Sequence, residues 1–368
     1  MRIGWDARIL VNGQLRGMAS YATHLLRALR ACRPDFDLRL YVDEGVSQQP
    51  FAEFTARRIG PDRGYRWQLW EQFGLPFHVY KDGCDVLHSP ANTTPPRCPI
   101  PRVVTLHDAM PFLSWKINAT TLPYFRKTQS RALRRADAVS TVSEYSRNDI
   151  CEVLHLDPSR VVVIPNAGSP EIRRPDQAMI ASQLNALGVT PPFILGLGAT
   201  DKRKNTLGML RAFAELQHAD RDSSLVLTAV GPALEATLLA ESERLRIPRR
   251  RVRLLGFVAL QELAALYSGC EAFLFLSLYE GFGIPILDAM QCGAPVICST
   301  RTSCPEVAGD AAVLVHPEDP VAVAEAVVTV RSRTAAARDE WRRRGESRAA
   351  SFSWQRSAEL TAALYEKL

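Results

Sequence analysis

The stretch A-F-L-F-L-S-L-Y-E-G-F-G-I-P-I-L-D-A-M-Q-C-G-A-P-V-I-C, Ala272 to Cys298, decides the fold class of this chain. Its first residues, Ala272 to Leu276, are a short apolar run of strand type. A loop carrying Gly281 and Gly283 follows, Pro285 suits the first turn of a helix, and Gly293 with Pro295 ends that helix before Val296 to Cys298 opens a second apolar run. Strand, helix and strand in that order belong to a parallel sheet covered on both faces.

The same alternation runs outward in both directions. Towards the amino end the strand-like runs are Ile3 to Trp5, Leu38 to Val42, Val86 to His88, Val103 to Leu106, Ala138 to Val142 and Val161 to Ile164. Amphipathic stretches such as Ser20 to Ala31 and Tyr124 to Ala136 separate them. Between Pro165 and Pro192 prolines bracket one helix-like stretch, Asp176 to Leu187, and the alternation restarts at Phe193 to Gly198. The pattern predicts two doubly wound α/β domains with a cleft between them, and a helical tail anchored by Trp341, Phe352, Trp354 and Tyr365. A length of 368 residues fits two domains.

Ligands of open α/β sheets bind beyond the carboxyl ends of the strands, so the residues just after each strand carry the functional reading. Glu280 stands at the mouth of the glycine loop and Asp288 is expected on the first turn of the helix. Gly281 to Ile284 lead into a helix start, where unpaired N–H groups and the helix dipole favour an anion and glycines allow close approach. The two acids could therefore reach opposite ends of one ligand, and carboxylates bind sugar hydroxyls well. After Phe193 to Gly198, the loop A-T-D-K-R-K-N places Arg203 and Lys204 where two cations neutralise a leaving diphosphate. In the first half, His107 and Asp108 follow one strand, and H-S-P-A-N places His88 and Asn92 at another. A Ser/His/Asp hydrolase is disfavoured because no G-x-S-x-G elbow occurs.

Composition narrows the classes further. With 46% hydrophobic and 23% charged residues the chain reads as folded and globular throughout. Eight cysteines without a C-x-x-C pair argue against zinc and for reduced thiols in a cytoplasm. The opening M-R-I-G-W-D-A-R-I-L-V reads as a first strand and not a secretory signal, and no apolar run is long enough to span a bilayer. The net charge of +6 gathers at Arg131 to Arg135, Arg249 to Arg253 and Arg342 to Arg344. Nucleic acid is disfavoured because these clusters lack interleaved aromatics. An anionic membrane surface, phosphate-bearing substrates and ordinary solvated helix faces remain as readings.

Taken together, Y-E-G-F-G-I-P-I-L-D-A-M-Q-C-G-A-P-V-I, P-E-V-A-G-D-A-A-V-L-V at Pro305 to Val315, and R-K-N at Arg203 to Asn205 resemble the retaining, metal-independent glycosyltransferases of the GT-B fold. The likeness is to the large family 4 type, which includes bacterial mannosyl- and rhamnosyltransferases, and covers nearly the whole chain. It implies two Rossmann-like domains: 1–168 on the acceptor side, 169–191 a linker, 192–350 binding the nucleotide sugar, and 351–368 a helix packing back towards the first domain. It implies that Glu280 binds donor-sugar hydroxyls, that Gly281, Phe282, Gly283 and Ile284 give backbone contacts, and that Asp288 binds the ribose. Arg203 and Lys204 would hold the diphosphate, with Gly198, Phe257 and the main chain at Leu254 to Val258 beside the nucleotide. His107 would approach the transferred sugar, and Gly17, in R-G-M-A-S-Y at Arg16 to Tyr21, would lie near the phosphate; His88, Asn92 and Asp108 are acceptor-side candidates.

Two positions depart from the family pattern. Asp288 stands where Glu is usual, and Ala19 replaces the second glycine of the usual G-I-G. The implied activity moves a hexose from a nucleotide diphosphate sugar, GDP-mannose or a GDP-deoxymannose first and UDP- or dTDP-sugars next, to a saccharide or lipid-linked saccharide. No metal or other cofactor is expected, and the place expected is the cytoplasm, with peripheral contact at the inner membrane face. A nucleotide-sugar epimerase or hydrolase, or a noncatalytic nucleotide-sugar subunit on the same scaffold, is the alternative.

Overall fold

The computed structural model describes residues 1–10, 17–42, 51, 53–59, 66–113, 124–217, 219–220 and 222–368. The chain divides into one unit made of Met1–Asn166 with Ser353–Leu368, and a second made of Ala167–Phe352. Among the described residues each unit is built on one all-parallel sheet.

In the first unit the strands are β1 Arg2–Asp6, β2 Asp37–Val42, β3 Thr55–Arg58, β4 Val86–Ser89, β5 Arg102–Leu106, β6 Ala138–Thr141 and β7 Val161–Val163. They lie in the order β3-β2-β1-β4-β5-β6-β7. The second unit has β8 Phe193–Leu197, β9 Ser224–Thr228, β10 Val252–Leu254, β11 Ala272–Phe275, β12 Val296–Ser299 and β13 Val313–Val315, in the order β10-β9-β8-β11-β12-β13. Every residue of β4, β5, β6, β11 and β12 is buried, as expected of strands with helices on both faces. In each sheet the winding reverses beside the central strand, between β1 and β4 and between β8 and β11. Those reversals open the crevices where open α/β sheets bind ligands.

The helix Trp354–Tyr365 belongs to the first unit, although the whole second unit precedes it in the chain. Ser353 caps it by accepting a hydrogen bond from the Arg356 N–H, and its buried face carries Trp354, Ala358, Thr361, Ala362 and Tyr365. The Trp354 ring lies 5.3 Å from His24 and 6.0 Å from Tyr21, both on the helix Met18–Cys32.

Some expectations change. The amphipathic stretch expected over Tyr124 to Ala136 is a widened π turn, Tyr124–Gln129, followed by a short α-helix, Ser130–Arg134. The buried Glu71 carboxylate explains the widening, because its Oε2 accepts from both the Tyr124 hydroxyl and Gln129 Nε2, the latter at 2.7 Å. Arg8 closes this network by donating to Glu71 Oε1 at 2.8 Å and pairing with Asp6 at the end of β1. Of the basic clusters, Arg249 to Arg253 includes a buried clamp. Arg251 donates from Nε to the Ser223 carbonyl at 2.8 Å and from Nη2 to the Asp220 carbonyl at 3.0 Å. Among the described residues no helix is long and apolar enough to cross a membrane.

Candidate active site

The second sheet builds its site from three loops at the carboxyl ends of β8, β11 and β12. The first loop leaves β8 at Gly198, where a Cβ would stand 2.8 Å from the Thr228 carbonyl oxygen, so glycine is needed for the strand end to close against β9. Asp201 then accepts from the Arg203 N–H at 3.0 Å and caps the 3₁₀ turn Lys202–Lys204. Asn205 donates from Nδ2 to the Pro317 carbonyl at 2.6 Å, and Thr206 Oγ1 accepts from the Ala199 N–H at 3.0 Å. The loop therefore presents Arg203 and Lys204 from a fixed backbone.

The second loop runs from β11 to the helix Ile284–Gln291. It is stitched to the first where the Leu278 N–H donates to the Arg203 carbonyl at 2.6 Å. Glu280 is buried at 7% exposure, and its two oxygens take one cation each: Lys204 Nζ at 2.6 Å on Oε1 and Arg203 Nη1 at 3.1 Å on Oε2. Arg203 also donates from Nε to Asp201 Oδ2 at 2.7 Å, so two carboxylates balance two cations. Burial pushes the Glu280 carboxyl up, but the Lys204 and Arg203 charges outweigh it and hold the group below its ordinary range. The third loop braces the second: Ser303 Oγ donates to the Glu280 and Phe282 carbonyls at 3.0 and 2.8 Å, while the Glu280 N–H donates to Thr302 Oγ1 at 3.2 Å.

Gly283 caps the helix at φ 109°, a conformation that disfavours any side chain. No side chain caps the first turn and Pro285 occupies it, so the helix start faces the loop with its backbone. Phe282 turns inward onto Phe352, ring centroids 5.6 Å apart, so it offers main chain and not its ring. Phe257, 72% exposed, follows β10, whose own exit is tied to β9 by the Ala229 N–H donating to the Gly256 carbonyl at 2.8 Å.

Asp288 does not lie on the first turn. It stands one turn further into the helix and is buried, with Oδ1 accepting from the Ser169 N–H at 2.6 Å and Oδ2 from the Ser169 hydroxyl at 3.1 Å. Burial pushes its carboxyl up to about 7 against the pull of those two bonds. The structure thus brings Glu280 together with Arg203 and Lys204, and brings Asp288 to Ser169.

In the first unit the corresponding crevice opens between β1 and β4, and β5 ends on the other side of β4. His107 follows β5; its Nε2 donates to the Pro90 carbonyl at 2.9 Å, which fixes the proton on that nitrogen, and its ring meets Tyr21 edge-on at 4.7 Å. Burial lowers its basicity to about 4, against the pull of the Pro90 carbonyl, so the imidazole is neutral near pH 7. Asn92, at φ 64°, accepts the His107 N–H on Oδ1 at 2.8 Å and so fixes the backbone of that histidine. Asp108 Oδ1 accepts from the Met110 N–H at 3.0 Å.

His88 lies inside β4, not after it, and is a core residue at 1% exposure. Its Nδ1 bonds the Tyr365 hydroxyl, its Nε2 bonds Thr105 Oγ1 at 2.8 Å, and its ring stacks on Trp5 at 4.4 Å. Both nitrogens are spent, which corrects its placement as an acceptor-side group. Gly17 caps the helix Met18–Cys32 at φ 53°, and no atom of the described residues stands within 4 Å of where its Cβ would be, while Arg16 lies outside the described residues. Sequence reading missed the Asp6–Arg8–Glu71–Tyr124–Gln129 network, whose members lie far apart along the chain. Among the described residues no group of three or more His, Cys, Asp or Glu side chains could hold a metal ion.

Two family models match the chain: Glycosyltransferase Family 4 over residues 15–171 and Glycosyl transferases group 1 over residues 191–332. The chain belongs to glycosyltransferase family 4. The O-antigen chain mannosyltransferase B of Escherichia coli is 27% identical to this family 4 chain over 96% of it and 97% of the relative. The serotype-specific mannosyltransferase WbdA of Escherichia coli is 31% identical over 70% of this chain, which spans 32% of that larger protein. Among solved structures, Anabaena Alr3699/HepE in complex with UDP and glucose superposes with a TM-score of 0.76 at 18% identity, covering 100% of this chain and 99% of its own. That likeness carries the fold, and the two doubly wound sheets are the GT-B architecture. The protein is a glycosyltransferase.

Proposed function

We propose that this family 4 chain is a retaining, metal-independent transferase. In this reading it moves a hexose of the mannose or deoxymannose type from a GDP-sugar to a saccharide or lipid-linked saccharide in cell-surface polysaccharide synthesis. The observation that carries the donor half is the pairing of buried Glu280 with Lys204 and Arg203 beside the uncapped helix start at Gly283. The mannose assignment is supported by the mannosyltransferase names of the relatives.

The mechanism follows from charge. The bond between the anomeric carbon and a phosphate oxygen breaks, negative charge grows on the diphosphate, and Arg203, Lys204 and the helix start at Gly283 stabilise it as preorganised donors. This is the work a divalent ion does elsewhere. The acceptor oxygen bonds the anomeric carbon on the face the phosphate leaves, and its proton passes to the departing phosphate oxygen. Glu280, held ionised, accepts hydrogen bonds from the sugar hydroxyls and positions the ring. Phe257 and the main chain at Leu254 to Val258 hold the base. On the first unit, neutral His107 orients a sugar hydroxyl, and Asn92 fixes its backbone.

The basic stretch after Tyr124 supports a peripheral membrane role. Arg126, Lys127, Ser130, Arg131, Arg134 and Arg135 line one open hollow of about 550 Å³, and among the described residues no ion pair engages its five cations. Such a stripe suits anionic headgroups.

Thermal stabilisation by GDP, UDP and dTDP at equal concentration tests the donor site, since a ligand bound only by the folded chain raises its unfolding temperature. GDP should stabilise most, and Lys204→Met should abolish the effect. If no nucleoside diphosphate stabilises the protein, the donor site is refuted; a larger shift with UDP replaces the base. Transfer abolished by a chelator would refute metal independence.

A further inference from the structure

A second hollow lies in the second unit at the opposite, amino edge of its sheet. Gly269, Cys270 and Glu271 lead into β11 and Pro295 leads into β12, and these residues form one side of a cavity of about 230 Å³. The other side comes from the end of the helix Pro320–Arg331 and from Arg333, Arg338 and Trp341. The Arg333 guanidinium lies over the Trp341 ring, its Cζ 3.7 Å from the centroid. Two donors beside this hollow, Arg333 Nη1 and Trp341 Nε1, are buried without a hydrogen-bond partner among the described residues.

The neighbouring groups do not supply acceptors to them. Arg331 consumes the nearby carboxylates, pairing with Asp220 through Nη1 and with Glu271 through Nε at 2.9 Å. Arg338 is turned onto main chain, donating to the Arg333 carbonyl at 3.1 Å and the Arg331 carbonyl at 2.6 Å. Among the described residues three guanidinium groups, Arg331, Arg333 and Arg338, thus face two carboxylates, while Arg344, whose charge also bears on Arg333, has its own partners in Glu340 at 3.9 Å and Asp310 at 3.7 Å. Burial and Arg344 both disfavour the charged form of Arg333, the mark of a cation without its counter-ion. An unsatisfied buried donor is costly, and each such group in a folded chain calls for a partner. Water fills donors of this kind where charge is balanced; an excess of positive charge favours an oxyanion.

We propose that this hollow is a second ligand site that takes a small oxyanion, a phosphate or carboxylate group carried on a body no larger than a monosaccharide. One oxygen accepts from Arg333 Nη1, another accepts from Trp341 Nε1, and the remaining volume holds the rest of the molecule.

The test is thermal unfolding with inorganic phosphate titrated against chloride at constant ionic strength. Phosphate should raise the unfolding temperature of Lys204→Met, the background in which the donor site's own phosphate seat is disabled. The rise should vanish when Arg333→Met is added to that background and fall when Trp341→Phe is added, which keeps the ring and removes the N–H. In phosphate-free buffer Arg333→Met should unfold no earlier than the parent, because it removes an uncompensated cation; an arginine with a purely structural role would lower that temperature. The proposal is overturned if phosphate does not stabilise Lys204→Met, or if its effect there survives the addition of Arg333→Met.

Discussion

Replacing Lys204 by Met separates the two things this lysine is proposed to do. In the unliganded protein its Nζ lies 2.6 Å from Glu280 Oε1, with side chains 25% and 9% exposed. Breaking a fully buried pair costs about 3–5 kcal/mol because a charge is left without a partner. Here Arg203 keeps the other oxygen at 3.1 Å and Lys204 is a quarter exposed, so screening reduces the loss to about 1–2 kcal/mol. For a domain of this size that is a fall of roughly 3–6 °C in the unfolding temperature. Adding Glu280→Gln removes the charge that needed the cation, so the double variant should recover most of that loss, with a coupling of about 1–2 kcal/mol. Turnover should behave differently. A cation that stabilises the leaving diphosphate contributes on the order of 10²- to 10³-fold, and no change at Glu280 restores it. The assays are calorimetry of the four proteins and initial rates with saturating donor and acceptor. A Lys204→Met enzyme that is destabilised as stated yet turns over within about threefold of the parent would show that Lys204 only holds Glu280, and the leaving-group argument would fail.

Asp288 carries a pH signature. Its folded value of about 7 stands above the ordinary 3.8, so the folded chain binds more protons between those values and stability falls as pH rises through the window. Up to about 4 kcal/mol is lost by pH 8 relative to pH 4, at 1.36 kcal/mol per unit. Asp288→Asn, which keeps both links to Ser169, should flatten the fall in unfolding temperature between pH 5 and 8; an unchanged slope with a raised donor KM would return Asp288 to the ribose. For the membrane stripe, the protein should co-sediment with anionic vesicles and not with neutral ones. Arg131→Glu with Arg134→Glu should weaken binding by about two orders of magnitude, at about 1 kcal/mol per charge removed and more for reversal. Equal binding to both vesicle types would end that reading.

How far the sequence could be read depended on which interactions are local. Glu280 was legible because strand, glycine loop and helix follow one another within a few residues, and that grammar places a carboxylate at a sheet crevice. Arg203 and Lys204 were legible for the same reason. Asp288 was misplaced by a turn because periodicity marks a helix but not where its first turn starts, and its partner Ser169 is 119 positions away. His88 was misread because a strand buried on both faces shows no alternation, so its last residues look like the start of a loop. Glu71 gave no signal, since its partners Arg8, Tyr124 and Gln129 meet only in the folded sheet. Gly198 was read for the nucleotide, and its closest constraint is the Thr228 carbonyl. The hollow beside Trp341 draws on three segments, and only packing shows that two of its donors lack acceptors.

The placement of the helix Trp354–Tyr365 governs when the first unit can finish folding. Its tyrosine hydroxyl engages His88 inside the first sheet, and its tryptophan covers the helix that begins at Met18. A ribosome therefore finishes the entire Ala167–Phe352 body before it supplies the piece that seals the body begun first. The first unit thus waits on residues that follow the whole of the second, and until they arrive His88, Tyr21 and His24 lack these partners.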